Sequence, residues 1–552
     1  MTELWMFLLI WGVWILMPII VDGTDTLVRL FVVLIWGRHD HAEAYSDEYL
    51  PGVTVIVPAY NENQVIDRCL NSIKNQDYPH EKLEVIVIDD GSTDGTAELV
   101  LDHIDGQATN GNGFRKNGNG NGYLKTDGGK TNGNGNGNGR IQPGIYRSKD
   151  LKNGNGNNGK NVKNGNGNGN GYLLNGDHTD VREFNGDITL ITDEHMGKPD
   201  ALNLGVKHMN GSDLVVTIDS DVVLAPDAIR NMACAFLSNS NMAAATGHIE
   251  ISEEIVEERD EFGNLILDEE GRLITRKLGI REKMLAKCQF LEYLDAFRLG
   301  RQFQATIHST YILAGAFSAF RRDILEKTPL YRPRTVSEDF DLTVDIHKTK
   351  HHVGYVPDAK AFLEPVITWT HLYSQRVRWC RGQLEVCGAH RDMIGNREYG
   401  PVGWFGLPQM LITDHTLAFP RLMWTFIILL FPLFGYPVMT ILLAVAFMYI
   451  FYIGLGILQT FSAFTIVDEV TKKKTEAALP WILILPIYRL IVFYFRMSGF
   501  LRTMIEPAVW DVKGASNGRS NGNGDLDESV HSLREGMKHG LFNGFKNGHK
   551  NK

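Results

Sequence analysis

Apolar segments at both ends of the chain constrain its fold more than any other feature of the sequence. Residues 5–20 are almost wholly apolar, and residues 417–464 and 479–501 form apolar stretches near the other end. A helix needs about 20 apolar residues to cross a bilayer, so the first segment is slightly short of a span, the second is long enough for two and the third for one. The sequence therefore predicts a polar domain held between membrane-associated segments.

The first apolar segment lacks the basic flank and the small-residue cleavage site of a signal peptide, which favours an uncleaved anchor. Lysines at 472–474 favour a cytoplasmic position for that loop. Arg489 and Arg496 would be costly against lipid, so we expect them to face protein or a polar cavity, or else to snorkel from a tilted interfacial helix. The predicted boundaries are 1–37 for an N-terminal membrane anchor, 50–399 for a cytosolic domain, 400–415 for an interfacial helix and 416–505 for about three transmembrane helices.

Two segments consist largely of Asn-Gly repeats. Residues 108–171 interrupt the polar domain, and residues 515–552 have the same composition. Glycine loses much conformational freedom when it is ordered, and the few apolar residues leave little burial to offset that cost. We therefore expect a disordered insertion in a surface loop and a disordered tail.

The charge and the cysteines disfavour other classes of protein. A net charge of −10 and a pI near 6.0 argue against a nucleic-acid-binding protein, which would carry a basic patch. The five cysteines show neither CxxC nor metal-ligand spacing. We therefore expect reduced, partly buried thiols that face the cytosol.

The polar domain contains three apolar runs, of which the first stops at Pro58 and the other two end in acidic residues. Residues 53–57, 83–88 and 214–218 have the composition of buried parallel strands. Ligands of open α/β sheets bind beyond the carboxyl ends of such strands. The sequence therefore predicts an α/β domain that collects Asp90 and Asp219 at one edge of its sheet.

Asp219 and Asp221 flank Ser220 directly after the third run. Residues i and i+2 of an extended strand point to the same side, so both carboxylates can face one cation. Carboxylate oxygens are ligands for Mg²⁺ or Mn²⁺, and such an ion can neutralise a nucleotide diphosphate when that group is the leaving group of a transfer reaction. The alternative is a solvated acidic turn.

Two further clusters could supply the remaining chemistry of a group transfer. Glu338 and Asp339 could provide the base that takes the proton of an acceptor hydroxyl, or could be carboxylates favoured at a helix start by the helix dipole. Gln375, Arg378 and Trp379 lie at i, i+3 and i+4, so they share one face of a helix. The guanidinium suits phosphate oxygens, and the indole offers a flat surface to a sugar ring.

In this order the clusters resemble the membrane-integrated, processive family 2 glycosyltransferases, the group of cellulose, chitin, hyaluronan and poly-N-acetylglucosamine synthases. The segment Gly197–Asn203 is similar to the GK-x-x-ALN segment of that family. The resemblance covers about residues 53–383 without the Asn-Gly insertion. It implies a GT-A-like (Rossmann-like nucleotide-binding) cytosolic α/β domain with transmembrane α-helices, and Mg²⁺ or Mn²⁺ as cofactor.

The resemblance also implies roles for single residues. It implies that Asp339 is the catalytic base with Glu338 as its helper. Asp221 would be the direct metal ligand, and Asp219 would contact the ribose or the metal. The implied nucleotide-sugar pocket comprises Pro58, Ala59, Tyr60, Glu62, Asp89, Asp90, Lys198, Asp219 and Ser220, and the implied acceptor and diphosphate site comprises Gln375, Arg378 and Trp379.

These observations together predict an inverting membrane glycosyltransferase that adds sugars from a UDP-sugar processively to a growing β-linked polysaccharide. UDP-N-acetylglucosamine is the favoured donor, and glucose as the sugar or a GDP-sugar as the donor stays open. The alternatives are a non-processive transferase that acts on a lipid or glycolipid acceptor and a non-enzymatic membrane scaffold. The expected partners are the nucleotide sugar, a polysaccharide or glycan acceptor, the lipid bilayer and, given so few spans, an export or regulatory subunit.

Overall fold

The computed structural model describes residues 15–37, 44–104, 144–147, 186–252, 255–257 and 275–506. These residues include a mixed nine-stranded sheet in the order β3-β4-β2-β1-β5-β10-β7-β11-β6 and a separate antiparallel pair, β8 and β9. The strands are β1 (Val53–Ala59), β2 (Leu83–Asp89), β3 (Gly144–Arg147), β4 (Asp187–Thr192), β5 (Leu214–Ile218), β6 (Val223–Leu224), β7 (Met242–Ile251), β8 (Ile255–Glu257), β9 (Thr275–Lys277), β10 (Phe317–Arg321) and β11 (His352–Leu363).

Helices pack around the sheet and continue into the apolar segments. They are α1 (Thr24–Trp36), α2 (Ile66–Lys74), α3 (Thr96–Ile104), α4 (Lys198–His208), α5 (Ala228–Ser238), α6 (Ile280–Tyr293), α7 (Arg301–Thr306), α8 (Arg322–Leu325), α9 (Glu338–Lys348), α10 (Trp369–Ala389), α11 (Leu407–Met410), α12 (Ala418–Leu430), α13 (Val438–Phe464), α14 (Glu469–Ala478) and α15 (Leu485–Ile505).

The centre of the sheet is parallel, as the apolar runs predicted. β1 pairs in parallel with β2 and with β5, and the register sets Ala59 beside Asp89. Val55, Ile56 and Val57 are fully buried because helices cover both faces, which is the environment that continuous β-branched runs favour. These pairings confirm the predicted α/β class and align the carboxyl ends of the strands.

Between the two ends of the nine-stranded sheet, β10 runs against both of its neighbours. β10 pairs antiparallel with both β5 and β7, and Phe317 at its start lies beside Ile218 at the end of β5. The turn before β10 therefore reaches the carboxyl edge of the sheet, where Asp219 N donates to Ala316 O at 3.3 Å. This brings the Gly315 segment to the edge that carries the acidic residues.

Four residues of the predicted insertion over residues 108–171, an island between its Asn-Gly repeats, form a strand, and the expectation of disorder in the repeats stays a prediction. Gly144–Arg147 forms β3 and pairs antiparallel with the edge strand β4. The reason is local composition, because Tyr146 packs against the main core and the strand covers the unpaired edge of β4. The rest of the insertion, like the tail over residues 515–552, lies outside the described residues.

Two helices in the described part of the chain are long and apolar enough to cross a membrane, Val402–Phe434 and Val438–Phe464. The first takes in most of the predicted interfacial segment 400–415, so that segment continues directly into an apolar helix. Glu469–Leu483 and Leu485–Ile505 qualify only together, and they are bent by 79°. The predicted total of about three transmembrane helices, and the anchor over residues 1–37, stay predictions.

Arg489 and Arg496, on the last described helix, face protein. Arg489 donates to Gln459 Oε1 at 2.9 Å and lies 3.2 Å from Asp295 Oδ2, while Arg496 lies 3.3 Å from Asp414 Oδ2. Charged groups in apolar helices are stable when they are paired in this way. Of the two expectations for these arginines, the structure shows the one in which they contact protein.

Candidate active site

The carboxyl edge of the sheet brings together three of the predicted segments. β1 ends at Ala59, opposite Asp89 at the end of β2, and Asp90 N donates to Ala59 O at 2.9 Å. Asp219 follows β5, which pairs with the other side of β1. The site therefore lies where parallel strands of an α/β sheet present ligand-binding residues.

Lys198 lies between the two acidic clusters. Gly197, with a φ of +96°, precedes α4, and Lys198 is the first residue of that helix. The Lys198 ammonium lies 2.7 Å from Asp219 Oδ1 and 3.1 Å from Glu338 Oε1. Burial alone would lower the pKa of this ammonium, but the carboxylates of Asp219 and Glu338 raise it above its ordinary value. Lys198 is therefore a permanent positive charge at the centre of the site.

Asp219 and Asp221 provide a donor set that fits a divalent cation. Loss of water around its carboxyl group, followed by the nearby Asp219 carboxylate, raises the pKa of Asp221 to about 6. A cation beside both groups would remove this repulsion, and carboxylate oxygens are the ligands that Mg²⁺ and Mn²⁺ prefer. Ser220, between the two, is buried.

Asp339 is held by three hydrogen bonds at the start of α9. Its Oδ1 accepts from Ser337 Oγ at 2.6 Å and from Phe340 N at 2.7 Å, and its Oδ2 accepts from Gly315 N at 3.0 Å. Burial and the neighbouring Glu338 carboxylate raise the pKa of Asp339. A carboxylate with a raised pKa and a fixed orientation is suited to accept a proton.

The pKa of Glu338 is shifted in the opposite direction, below its ordinary value. Burial alone would raise its pKa, but Lys198 and then Arg378 lower it. Two adjacent carboxyl groups whose pKa values are driven apart take different roles, one remaining ionised while the other exchanges a proton. The geometry therefore suits Asp339 as the base and Glu338 as the ionised partner of Lys198.

Helix α10 presents the remaining predicted residues. Arg378 is exposed, and its charge acts on Glu338, so it lies beside the acidic cluster. Gln375 Oε1 is buried without a hydrogen-bond partner among the described residues. An acceptor left open in this way is available to a ligand.

Trp379 belongs to an aromatic platform at the same site. Its ring lies 6.4 Å from the Tyr293 ring, and the Arg376 guanidinium lies 4.2 Å from its centroid. The pKa of the Tyr293 hydroxyl is raised to about 12, first by burial, and the Asp221 carboxylate contributes to the shift. The platform and the predicted metal ligands are therefore near neighbours.

Asp90 uses its carboxylate to hold the segment before Lys198. Its Oδ1 accepts from Met196 N at 2.7 Å, and its Oδ2 accepts from Gly197 N at 2.9 Å and lies 2.8 Å from His195 Nδ1. These contacts orient the loop that delivers Lys198. Its predicted contact with the nucleotide stays a prediction.

The other residues of the predicted nucleotide pocket lie near Asp90, at the ends of β1 and β2 and in the loop that follows β1. The Tyr60 ring stacks on the His195 ring at 4.0 Å, which provides a flat surface of the kind that binds a base. Glu62 N donates to Thr96 Oγ1 at 2.9 Å. Pro58, Ala59 and Asp89 are buried at the ends of β1 and β2.

Two residues of the site were missed in the sequence. Arg376 is buried and bonds Glu292 Oε2 at 2.6 Å, so it fixes the helix that carries Trp379. His195 joins Tyr60 to Asp90. Arg376 lies within the predicted cluster 375–379 and His195 lies just before the segment Gly197–Asn203, but only their contacts in the folded protein indicate a role.

A second acidic group lies on α9 and is already neutralised. Asp341, Asp345 and His390 are close enough to hold a metal ion. Arg332 and Arg334 occupy the Asp341 carboxylate, however, at 3.2 Å and 2.7 Å. With two guanidinium groups in place, a divalent cation would be repelled, so we assign this cluster a structural role.

Two sequence profiles match the chain. The profile "Glycosyl transferase family 2" matches residues 54–123, and "Glycosyltransferase like family 2" matches residues 178–382. Poly-β-1,6-N-acetyl-D-glucosamine synthase of Staphylococcus epidermidis is 21% identical over 339 residues, and that of Staphylococcus aureus (strain COL) is 21% identical over 337 residues. Each match covers 61% of this chain and 56% of the relative, so the chain spans little more than half the length of these relatives.

Among solved structures, the chain is similar to a mannosyltransferase from Pyrobaculum calidifontis in complex with GDP-Man and Mn²⁺. The identity is 16%, the TM-score is 0.47, and the match covers 89% of this chain and 98% of the other.

Proposed function

We propose that the chain, which matches family 2 glycosyltransferase profiles over residues 54–123 and 178–382, transfers a sugar from a UDP-sugar to the end of a growing β-linked polysaccharide. UDP-N-acetylglucosamine is the favoured donor. The observation that carries the proposal is the position of Lys198, which bridges Asp219 of the proposed metal site and Glu338 beside the proposed base. One pocket can therefore hold a donor diphosphate and an acceptor hydroxyl together.

The donor would bind across the carboxyl edge of the sheet. Asp219 and Asp221 would hold Mg²⁺ or Mn²⁺, which when bound neutralises charge on the departing diphosphate. Lys198 adds a fixed positive charge on the same side. The stacked rings of Tyr60 and His195 offer a surface for the base, 4.0 Å apart and tilted by 19°.

The transfer is a single displacement that inverts the anomeric carbon. The bond from that carbon to the diphosphate oxygen breaks, and a bond to the acceptor oxygen forms. The acceptor proton passes to Asp339, whose raised pKa suits this task. UDP leaves with the bonding electron pair, and Arg378 would bind its phosphate oxygens.

The acceptor would lie on the aromatic platform of Trp379 and Tyr293. Aromatic faces bind the C–H faces of sugar rings, and the Gln375 oxygen is open to a hydroxyl donor. The Gln375-Arg378-Trp379 triplet and the names of the relatives favour repeated addition to a polymer. The alternative is a single transfer to a lipid or glycolipid acceptor, which the apolar helices could equally well hold near the bilayer.

We further propose that the catalytic domain faces the cytosol, where nucleotide sugars are made, and that the apolar helices anchor it in the cell membrane. Since only Val402–Phe434 and Val438–Phe464 qualify singly as spans in the described part, a further subunit would complete an export path.

The test supplies radiolabelled nucleotide sugars one at a time, with Mn²⁺, to membranes that contain the chain. High-mass polymer from UDP-N-acetylglucosamine supports the proposal. A labelled lipid of one sugar would establish the alternative, and no labelled product from any donor would overturn both.

A further inference from the structure

The proposed base follows a short loop, which we call the base loop and define as Val336 and Ser337. Ser337 Oγ donates to Asp339 Oδ1 at 2.6 Å, so the position of the loop fixes the orientation of the carboxylate. A base must lie within hydrogen-bonding reach of the proton that it removes. Whatever holds the base loop therefore bears on transfer.

Helix α10 contacts the base loop at two successive turns. Val336 N donates to Glu385 Oε2 at 2.9 Å, and the Glu385 side chain is only 3% exposed. One turn earlier, a Cβ at Gly382 would lie 2.5 Å from Ser337 Cβ. The missing side chain at Gly382 lets helix and loop meet, and Glu385 ties them together.

Glu385 is connected to the end of the last described helix. Arg381 Nε donates to Glu385 Oε1 at 2.5 Å, and its Nη1 pairs with Glu506, directly after α15. Arg381 is 14% and Glu385 3% exposed, so solvent screens their pair only weakly, whereas Glu506 is 38% exposed and its pair with Arg381 is screened more strongly. A chain of contacts thus runs from Glu506 through Arg381 and Glu385 to Val336.

We propose that Glu385 and Arg381 are positioning residues, which hold the base loop against α10 and couple the orientation of Asp339 to the seating of α15. This inference rests on the proposed function, in which Asp339 takes the acceptor proton. Neither residue touches the reacting atoms. The charge-assisted hydrogen bond between Arg381 and Glu385 is little exposed, so it can hold the base loop, and with it Asp339 at the start of α9, in a fixed position.

The first measurement uses Glu385→Ala in the full-length chain in membranes, with the nucleotide sugar that supports transfer. The variant removes both the acceptor of Val336 N–H and the partner of Arg381. We expect kcat to fall roughly 10- to 100-fold, because small displacements of catalytic groups have effects of this size. KM for the donor should change less than about twofold, since the donor site is untouched.

The isosteric Glu385→Gln is the second variant, because its amide oxygen can still accept from Val336 N–H while the charge is lost. Its kcat should lie between those of Glu385→Ala and the parent. If Glu385→Ala does not accumulate in membranes, this variant decides alone. A reduced kcat with unchanged KM supports the proposal, and parental kinetics overturn it.

Glu250→Gln is the matched control. The Glu250 side chain is 4% exposed and bonds Lys474 at 2.8 Å, so the same change removes an equally buried carboxylate whose hydrogen-bond partners lie on α14. We expect its kcat to stay within about twofold of the parent. Equal loss in Glu250→Gln and Glu385→Gln would show a general effect of buried charge and would overturn the proposal.

The coupling to α15 is tested with Glu506→Ala alone and combined with Glu385→Ala. Residues in one network have non-additive effects, so the double variant should lose little more kcat than Glu385→Ala. Fully additive losses of kcat would show that Glu506 acts independently of Glu385 and would overturn the coupling to α15.

If Asp339→Asn keeps transfer, the proposed function fails. If Asp339→Asn is inactive while Glu385→Ala is unimpaired, only this inference fails.

Discussion

The backbone N–H of Gly315 donates to Asp339 Oδ2 at 3.0 Å, so the turn before β10 helps to fix the proposed base. A Cβ at residue 315 would lie 3.1 Å from the same oxygen and 3.4 Å from Lys198 Nζ. The turn therefore brings the base and the central ammonium together, and a methyl group at residue 315 would press on the Asp339 carboxylate.

Gly315→Ala should lower kcat about tenfold, because the new methyl group would shift the Asp339 carboxylate by a few tenths of an ångström. Gly388→Ala, on α10, is the control, since a Cβ there meets nothing within 4 Å. Initial rates of sugar transfer at saturating donor measure the difference. Equal rates for the two variants would contradict the crowding at residue 315.

Lys198→Met should lower transfer roughly 100-fold, which is the size of effect seen when one preorganised charge is removed from a site of developing charge. Asp219 and Glu338 would then face each other without a cation between them. Lys207→Met changes an exposed lysine of the same helix and should leave the rate unchanged. A Lys198→Met enzyme with parental rates at saturating Mn²⁺ would show that the ammonium has no part in the reaction.

Arg376 and Arg378 should respond differently to the same substitution. Arg376→Met breaks a buried pair with Glu292 and should lower the free energy of unfolding by about 3 kcal/mol. Arg378→Met, at an exposed position, should leave thermal unfolding unchanged but reduce transfer. Unfolding of the detergent-solubilised variants and their rates separate the two roles. Destabilisation by Arg378→Met, or none by Arg376→Met, would contradict the assignment.

The pH dependence of transfer should depend on the metal concentration. Because the pKa of Asp221 is raised to about 6, protons compete with the cation at that carboxylate below this pH. At limiting Mn²⁺ the rate should fall as the pH drops through about 6, and added Mn²⁺ should move the half-maximal point to lower pH. A half-maximal pH that does not respond to Mn²⁺ would remove Asp221 from the metal site.

The sequence predicted the parts of the site that depend on local pattern. Apolar runs followed by Asp90 and Asp219 predicted two strand ends that meet at one edge, because parallel strands align their carboxyl ends. Helical spacing also placed Arg378 and Trp379 correctly on one helix. The roles of the individual residues remain proposals.

Contacts between distant segments could not be predicted in this way. The carboxylate of Asp90 binds the backbone of Met196 and Gly197, a use that no motif encodes. Arg376 is buried because α6 and α15 supply Glu292 and Tyr488 around it, which helical periodicity cannot show. The insertion of β10 against the parallel strands likewise follows from tertiary pairing.

The most direct test of the account is Asp339→Asn, measured for sugar transfer and for binding of the nucleotide sugar with Mn²⁺. The amide keeps the shape of the side chain but cannot take the acceptor proton. The account predicts that transfer is abolished while donor binding is retained. Transfer at the parental rate by this variant would contradict it.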